Sequence, residues 1–573
     1  MKKSNLMLTL KSVKYLLVFF VIFSFIQAII VSINPLLMRY LVDTALPGMD
    51  ISLVIKAFIL ILILIACQTV VYYINQILSA KIVKRMDIDI KNRLVQNVLE
   101  QEHRFFLQNK QSTLQNIIQK DTYVIASFLN RKIIPIISQV TVFIIVLVVM
   151  LNLNVRLALI ALFLIIPYFF IYTLAGKKLE ALVPDYYKFY DRMTSAMQRI
   201  LKSFEVIKSF NKEKYEAERY RDISSSYYEN DMKMTDIEVK AESVAYLFGH
   251  AMSLGLFGYA ILMVVKGQTT LGTAIAFYSF MGRFLDPVQT ISGIAAESKR
   301  FTKSLERVDS VLKTEAVSDT REKHKVSEFQ DIEFKEVFFK YDEAAERNIL
   351  NNVSMKLESD KIYAVVGDSG SGKSTLAKLI MGFFDADSGD ILINKHSIKD
   401  ICHSSLRRLF GYIPQDSYLL PGSLRENLTY GAPSISEQDI QDTLKALKLD
   451  VFVDSLSEGL DTSINELGTN LSGGEKQRLA IGRAILSNAK FIIADEISGN
   501  LDVQTEISVM DTVFSAVKGK TALIIAHRLA TIVRADTIFV MKNGAIIESG
   551  THEELLSFDG VYASLWNRQV SET

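Results

Sequence analysis

The sequence predicts a multidomain protein, with an all-α domain of six transmembrane helices followed by an α/β domain. Three observations carry that expectation. Long apolar runs fill the first 310 residues and thin out beyond them. Strand-like and helix-like runs alternate after residue 330, at Ile362–Val366, Asp390–Asn394, Phe491–Ala494, Thr521–Ile525 and Thr537–Met541, the pattern of an α/β sheet. One of the strand-to-helix turns among them is rich in glycine.

Six segments are apolar over the roughly 20 residues that a spanning helix needs. They lie at about 13–42, 52–80, 133–153, 155–175, 241–266 and 270–300. The second to fifth continue as polar amphipathic helices, for example Lys81–Glu102 and Glu180–Ile207, and so project past the bilayer. Lys2, Lys3, Lys11 and Lys14 precede the first run as in a secretory signal. The run from Val13 to Val31 is longer than a signal core, however, and no small-residue cleavage site follows, so it reads as a transmembrane helix. The turn at 43–51 holds Asp43 and Asp50 but no Lys or Arg, whereas 81–120 holds eight basic residues. The positive-inside rule then puts the N-terminus, the longer loops and the α/β half in the cytoplasm. A multi-pass protein of a bacterial plasma membrane fits these features, with an organellar membrane as the alternative. The expected limits are 1–311 for the membrane domain, 312–330 for a charged linker and 331–573 for the α/β domain.

Across the 573 residues, 64 Lys+Arg face 63 Asp+Glu, a formal charge of +1. That balance supplies no basic field, which argues against nucleic acid as the main partner. Cys67 lies in an apolar helix and Cys402 in the soluble half, so a disulfide framework and a cysteine metal site are both unsupported.

The chemistry concentrates in the second half. Gly367-Asp368-Ser369-Gly370-Ser371-Gly372-Lys373-Ser374 follows an apolar strand and opens a helix near Thr375, the context a phosphate loop requires. Its glycines let backbone N–H groups converge on phosphate oxygens at a helix N-terminus. In that reading Lys373 reaches the β- and γ-phosphates of ATP and the Ser374 hydroxyl ligates Mg²⁺. Phe491-Ile492-Ile493-Ala494 is a buried strand that carries Asp495 to its C-terminal end, where open α/β sheets bind ligands. Asp495 is placed for the metal, and Glu496 for the attacking water. Leu471-Ser472-Gly473-Gly474-Glu475 is a glycine turn opening a further helix, hence a second anion-attracting terminus. One domain has little use for two such termini on one nucleotide. Two domains facing head to tail do.

These motifs resemble, in order, those of the ATP-binding cassette (ABC) transporters. Leu471–Glu475 resembles the family's signature, with Glu475 where glutamine is usual. The resemblance implies that Gln415, in Ile413-Pro414-Gln415, senses Mg²⁺ and contacts the membrane domain. It implies that Tyr341 stacks on adenine, that His527 contacts the γ-phosphate, and that Ser498-Gly499-Asn500-Leu501-Asp502 is the D-loop, with Asp502 its acidic residue. Pro421–Asn427, Asn465–Gly468 before the signature, and Gly550–Trp566 are similar to the exporter branch. In the membrane half, Pro35–Asp43, Phe105–Asp121 and Val206–Asn211 are similar to it as well. The implied assembly is a half-transporter pairing with an identical or sister chain, two ATP molecules being sandwiched between each phosphate loop and the other chain's signature. The loops near Phe105–Gln111 and Phe210–Lys214 would be its contact points.

For cargo, Gln27 and Asn34 share a face of the first helix, and Gln68 and Asn75 a face of the second. His250 is an ionisable residue at membrane depth in the fifth. Lining of a translocation cavity and plain interhelical hydrogen bonding are the two readings. Few charges in the cavity helices lean towards amphipathic or uncharged cargo: a drug-like molecule, a lipid or a peptide. An importer sharing the exporter architecture and a cassette-gated channel are the alternatives.

Overall fold

The computed structural model describes residues 13–109, 111–291, 294–314, 324–342, 347–430, 435–465, 470–497, 503–526 and 528–572. The chain divides into two compact units, Met1–Leu99 with Lys110–Glu315, and Glu100–Asn109 with Ala316–Thr573.

Among the described residues, five helices of the first unit are long and apolar enough to cross a membrane: Lys14–Ala45, Ile51–Leu99, Thr113–Leu153, Val155–Lys202 and Glu213–Val265. At 49, 48 and 53 residues, the second, fourth and fifth far exceed a bilayer. A 49-residue helix is about 74 Å long against a hydrocarbon core of about 30 Å. The sixth expected span forms the helix Leu271–Ile291. It falls short of the others in apolarity because Arg283 and Asp286 interrupt it. Its large residues compensate by packing inward: Phe277, Phe280, Met281 and Phe284 are fully buried. Around them Ala158, Ala161, Ala245 and Ala260 are also fully buried. Small residues let helices approach closely where lipid gives no hydrophobic drive for association.

The first helix ends in a widened turn, Leu41–Ala45, carrying Asp43. Asp43 Oδ1 accepts the Gly272 backbone N–H (2.8 Å) and Oδ2 accepts the Thr270 hydroxyl (2.6 Å). That contact needs glycine, because a Cβ at Gly272 would stand 2.6 Å from the Arg39 carbonyl oxygen. Towards the other end of the bundle, buried Asp121 accepts from Ser304 Oγ (2.9 Å) and from Arg307 (2.6 Å). It ties the third helix to Ile294–Lys313.

The second unit holds strands β1 (Asp331–Phe339), β2 (Leu350–Glu358), β3 (Ile362–Gly367), β4 (Ser388–Ile393), β5 (His396–Ser397), β6 (Phe410–Ile413), β7 (Gly422–Ser423), β8 (Ser463–Ile464), β9 (Phe491–Asp495), β10 (Thr521–Ile525), β11 (Thr537–Lys542) and β12 (Ala545–Gly550). They form a four-stranded sheet in the order β2-β1-β4-β5, a six-stranded sheet in the order β12-β11-β3-β10-β9-β6, and a β7-β8 ribbon. β3, β9 and β10 are continuous apolar runs buried on both faces, as parallel strands are. Alternate residues serve opposite cores. Ala364, Val366, Ile492, Ala494, Ala522 and Ile524 enter one, and Tyr363, Val365, Phe491, Ile493, Leu523 and Ile525 the other. Register then fixes the site, since Ile525 lies opposite both Val365 and Asp495. The loop leaving β3 and the acidic end of β9 therefore emerge at one sheet edge.

Candidate functional site

At that edge Gly367, Gly370 and Gly372 take φ of +148°, +80° and +103°, conformations that side chains resist. A Cβ on Gly367 would lie 2.1 Å from the Met541 carbonyl oxygen. Gly372 caps the helix Lys373–Ile380, and Asp368, Ser369 and Gly370 are exposed above it. Lys373 is 3% exposed, and its Nζ donates to the carbonyls of Gly367 (2.9 Å) and Asp368 (3.1 Å). Burial pushes its ammonium below the usual lysine range, against the pull of Glu496, Asp495 and Asp368.

Ser374 Oγ donates to Asp495 Oδ1 at 2.9 Å. Asp495 is 2% exposed, and burial pushes its carboxyl up despite the Ser374 hydrogen bond. Glu496 sits in the left-handed region at φ +48°, and its Oε2 accepts from Gln415 Nε2 at 2.6 Å. The structure thus unites Lys373, Ser374, Asp495, Glu496 and Gln415. Tyr341 joins them through its hydroxyl, 3.1 Å from Thr375 Oγ1. Among the described residues the buried Ser371 hydroxyl has no hydrogen-bond partner. Such an orphan beside a glycine loop suits a phosphate oxygen. The donor set also suits Mg²⁺. A hydroxyl and a carboxylate are hard oxygen ligands, and such sites leave their remaining positions to phosphate oxygens and water.

Leu471 to Glu475 stand apart: among the described residues no hydrogen bond or ion pair joins them to the phosphate loop. Ser472 caps the helix Gly473–Leu486 in a reciprocal box, its Oγ accepting from Glu475 N (3.3 Å) and its N–H donating to Glu475 Oε2 (2.7 Å). His527, Asp502, the rest of the expected D-loop, and Glu466–Gly468 lie outside the described residues.

Glu100–Asn109 groups with the second unit rather than with the helices flanking it. His103 stacks on Phe383 (centroids 5.3 Å apart) and meets Phe384 edge-on (5.1 Å). Phe384 in turn contacts Tyr341 (5.2 Å), and Phe383 contacts Tyr412 (6.3 Å), whose hydroxyl is 3.5 Å from Asp495. The sequence reading singled out this loop but missed His103. An aromatic-rich Arg104-Phe105-Phe106 neighbour is its only local signal.

In the membrane unit, a cavity of about 360 Å³ is lined by residues of the first, second, third and sixth helices. Gln27 and Asn75 both line it, joined by a 2.6 Å hydrogen bond from Asn75 Nδ2 to Gln27 Oε1. Asn34, Gln68 and His250 do not. Asn34 and Gln68 are half-buried elsewhere on their helices, and His250 is exposed, its ring against Tyr246. Arg283 and Asp286 line the cavity and were missed, although two charges inside an apolar segment are visible in sequence.

A glycine loop and an acidic strand end on a parallel sheet, fused to a bundle of membrane-crossing helices, define a multi-pass membrane protein with a nucleotide-binding domain. Comparison with known proteins narrows this. The family model for the ABC transporter transmembrane region matches residues 17–288, and that for the ABC transporter matches 350–499. The uncharacterized ABC transporter ATP-binding protein YwjA of Bacillus subtilis (strain 168) is 31% identical, over 94% of this chain and 94% of its own length. An ATP-dependent lipid A-core flippase of Syntrophus aciditrophicus (strain SB) is also 31% identical, over 87% and 83%. In fold, the chain is similar to a bacterial Atm1-family ABC exporter with ATP bound, at a TM-score of 0.83 and 24% identity over 97% and 98% of the two chains. The chain belongs to the ABC transporter family and is an exporter-type half-transporter, its membrane region and ATP-binding cassette fused in one polypeptide.

Proposed function

We propose that this chain pairs with an identical or sister half-transporter in a bacterial inner membrane. The pair hydrolyses ATP at its cassettes to export an amphipathic substrate by alternating access. The carrying observation is the Ser374–Asp495 and Gln415–Glu496 pairing beside Lys373. It sets metal-binding, water-activating and phosphate-neutralising groups around one loop. Bound there, Mg²⁺ would be held by Ser374 and Asp495 and would neutralise charge on the β- and γ-phosphate oxygens. The Gly367–Thr375 backbone cradles phosphate, and Lys373 offsets its charge. Glu496 accepts a proton from the attacking water, and the hydrogen bond from Gln415 orients its carboxylate. Tyr341 offers a ring to adenine. The signature of the partner chain, with its exposed helix terminus at Ser472, closes the site over the γ-phosphate, which the family resemblance also assigns to His527. ATP binds the closed cassette pair better than the open one and so shifts the membrane domains between access states. The amphipathic cargo class is supported by the lipid A-core flippase among the relatives.

Inside-out proteoliposomes decide between this and the alternatives. Export predicts ATP-dependent accumulation of an amphipathic dye in their lumen against its gradient. Loss of preloaded dye with ATP would indicate import, and equilibration without accumulation would indicate a gated channel.

A further inference from the structure

We infer that the polar cavity of the membrane unit binds a zwitterion, a ligand carrying an anionic group and an ammonium in one small headgroup. This rests on the transporter reading above and gives it a cargo chemistry. At about 360 Å³ the cavity is near the lower end of the roughly 300–1,000 Å³ typical of small-molecule sites. Arg283 and Asp286 stand one turn apart on the sixth helix, and both line it. Opposite charges three residues apart on a helix ordinarily pair. Here the Arg283 charge acts on Asp286 through space, but among the described residues neither side chain makes a hydrogen bond or a contact-distance ion pair. Charges within membrane helices persist where they face a protein interior or a wet cavity, and they mark substrate paths.

Two charges of opposite sign in one chamber, neither closed off by a contact-distance ion pair, select a ligand that brings both complements. A lone anion would meet Asp286 as a repulsive neighbour, and a lone cation would meet Arg283. Asn75 supplies an independent observation. It is 5% exposed, its amide N–H₂ donates to Gln27, and its buried Oδ1 has no partner among the described residues. An acceptor left open at the cavity wall suits the N–H groups of an ammonium. Gln139, also lining the cavity, accepts the Thr290 hydroxyl at its Oε1 (2.9 Å), which reserves its donor end for an anion. The cavity is thus neutral in sum but doubly charged, where the few charges of these helices leaned towards amphipathic or uncharged cargo. A zwitterionic phospholipid arriving from the bilayer and a short peptide arriving from the cytosol present the same chemistry.

The test is equilibrium binding of radiolabelled dihexanoyl phosphatidylethanolamine to the full-length chain in phosphatidylglycerol nanodiscs, with ATP turnover measured on the same sample. The competitors are dihexanoyl phosphatidylglycerol, hexylamine and dialanine. The expected result is saturable binding, weakened at least about tenfold by Arg283→Gln and by Asp286→Asn. Arg283→Lys, which keeps the charge, should retain it, and neither single-charge competitor should displace the probe. Displacement by dialanine assigns a soluble zwitterion as the source, and no displacement by it assigns a lipid headgroup. Absence of saturable binding, displacement by phosphatidylglycerol or hexylamine, or unchanged affinity in both neutralised variants would overturn the site. An ATPase-silent sample would count against the transporter reading alone, because the binding measurement still decides the cavity.

Discussion

Lys373 is an ammonium almost removed from water that donates to the backbone carbonyls of Gly367 and Asp368. Such a group gains most when a multiply charged phosphate replaces those carbonyls, which is why burial here serves binding rather than stability. The loop geometry around it depends on glycine. Gly367→Ala puts a methyl 2.1 Å from the Met541 carbonyl at a φ that alanine avoids. We expect ATP affinity to fall at least about tenfold, or folding to fail, on a strain of roughly 1–3 kcal/mol. A fluorescent-nucleotide titration with wild-type affinity would contradict this. Glu475 poses the opposite case. Its carboxylate completes the cap of Ser472 at the terminus proposed to meet the partner's ATP. Glu475→Gln removes a negative charge there while keeping a hydrogen-bonding amide. The ATP concentration for half-maximal turnover should therefore drop, and an unchanged or raised value would show that Glu475 acts only as a cap.

Two elements of the membrane unit are held by polar contacts that packing alone would not give. Gly272 lets the start of the sixth helix press against Asp43, and Gly272→Ala should force those helix ends apart. Thermal unfolding in detergent should begin lower for that variant, and no shift would mean that the contact is dispensable. Asp121 presents a buried carboxylate to Ser304 and Arg307, so Asp121→Asn should cost about 1–3 kcal/mol. These contacts were not legible in sequence. Residues 121 and 307, or 43 and 272, meet only because helices fold back on one another, and no local spacing announces it. The phosphate loop was legible for the reverse reason, its chemistry being contiguous and its flanking strand and helix locally encoded. The cavity was half legible. The shared helical face suggested Gln27 and Asn34 together, but seven residues separate them by about 10 Å along the axis, and the cavity reaches Gln27 and not Asn34. Arg283 and Asp286 were passed over because a search for apolar spans treats charge as interruption rather than as content.

At the scale of the molecule the question is how nucleotide and membrane events are linked. The loop Glu100–Asn109 belongs to the second unit although the chain on either side of it belongs to the first, and His103 lies between Phe383 and Phe384. Through those rings it touches the neighbours of both Tyr341 and Asp495. His103→Ala should leave ATP binding intact while reducing stimulation of turnover by cargo, and equal stimulation in variant and wild type would exclude the relay. Burial lowers the His103 pKa from about 6.5, with Lys378 adding to the effect. Its neutral form is the one the packed loop favours. The contribution is complete above about pH 6.5 and is lost as pH falls through the lowered value. Cargo stimulation should decline on the acid side in wild type and be flatter in His103→Phe.

The central claim, that this cassette hydrolyses ATP through Glu496, is tested most directly by vanadate-sensitive ATPase activity of the purified chain in lipid nanodiscs, alongside Glu496→Gln. The account predicts activity in the wild type and a loss of roughly 10²-fold or more in a variant that still binds ATP. Substantial residual turnover in Glu496→Gln would remove that residue from the role of base and contradict the site as described.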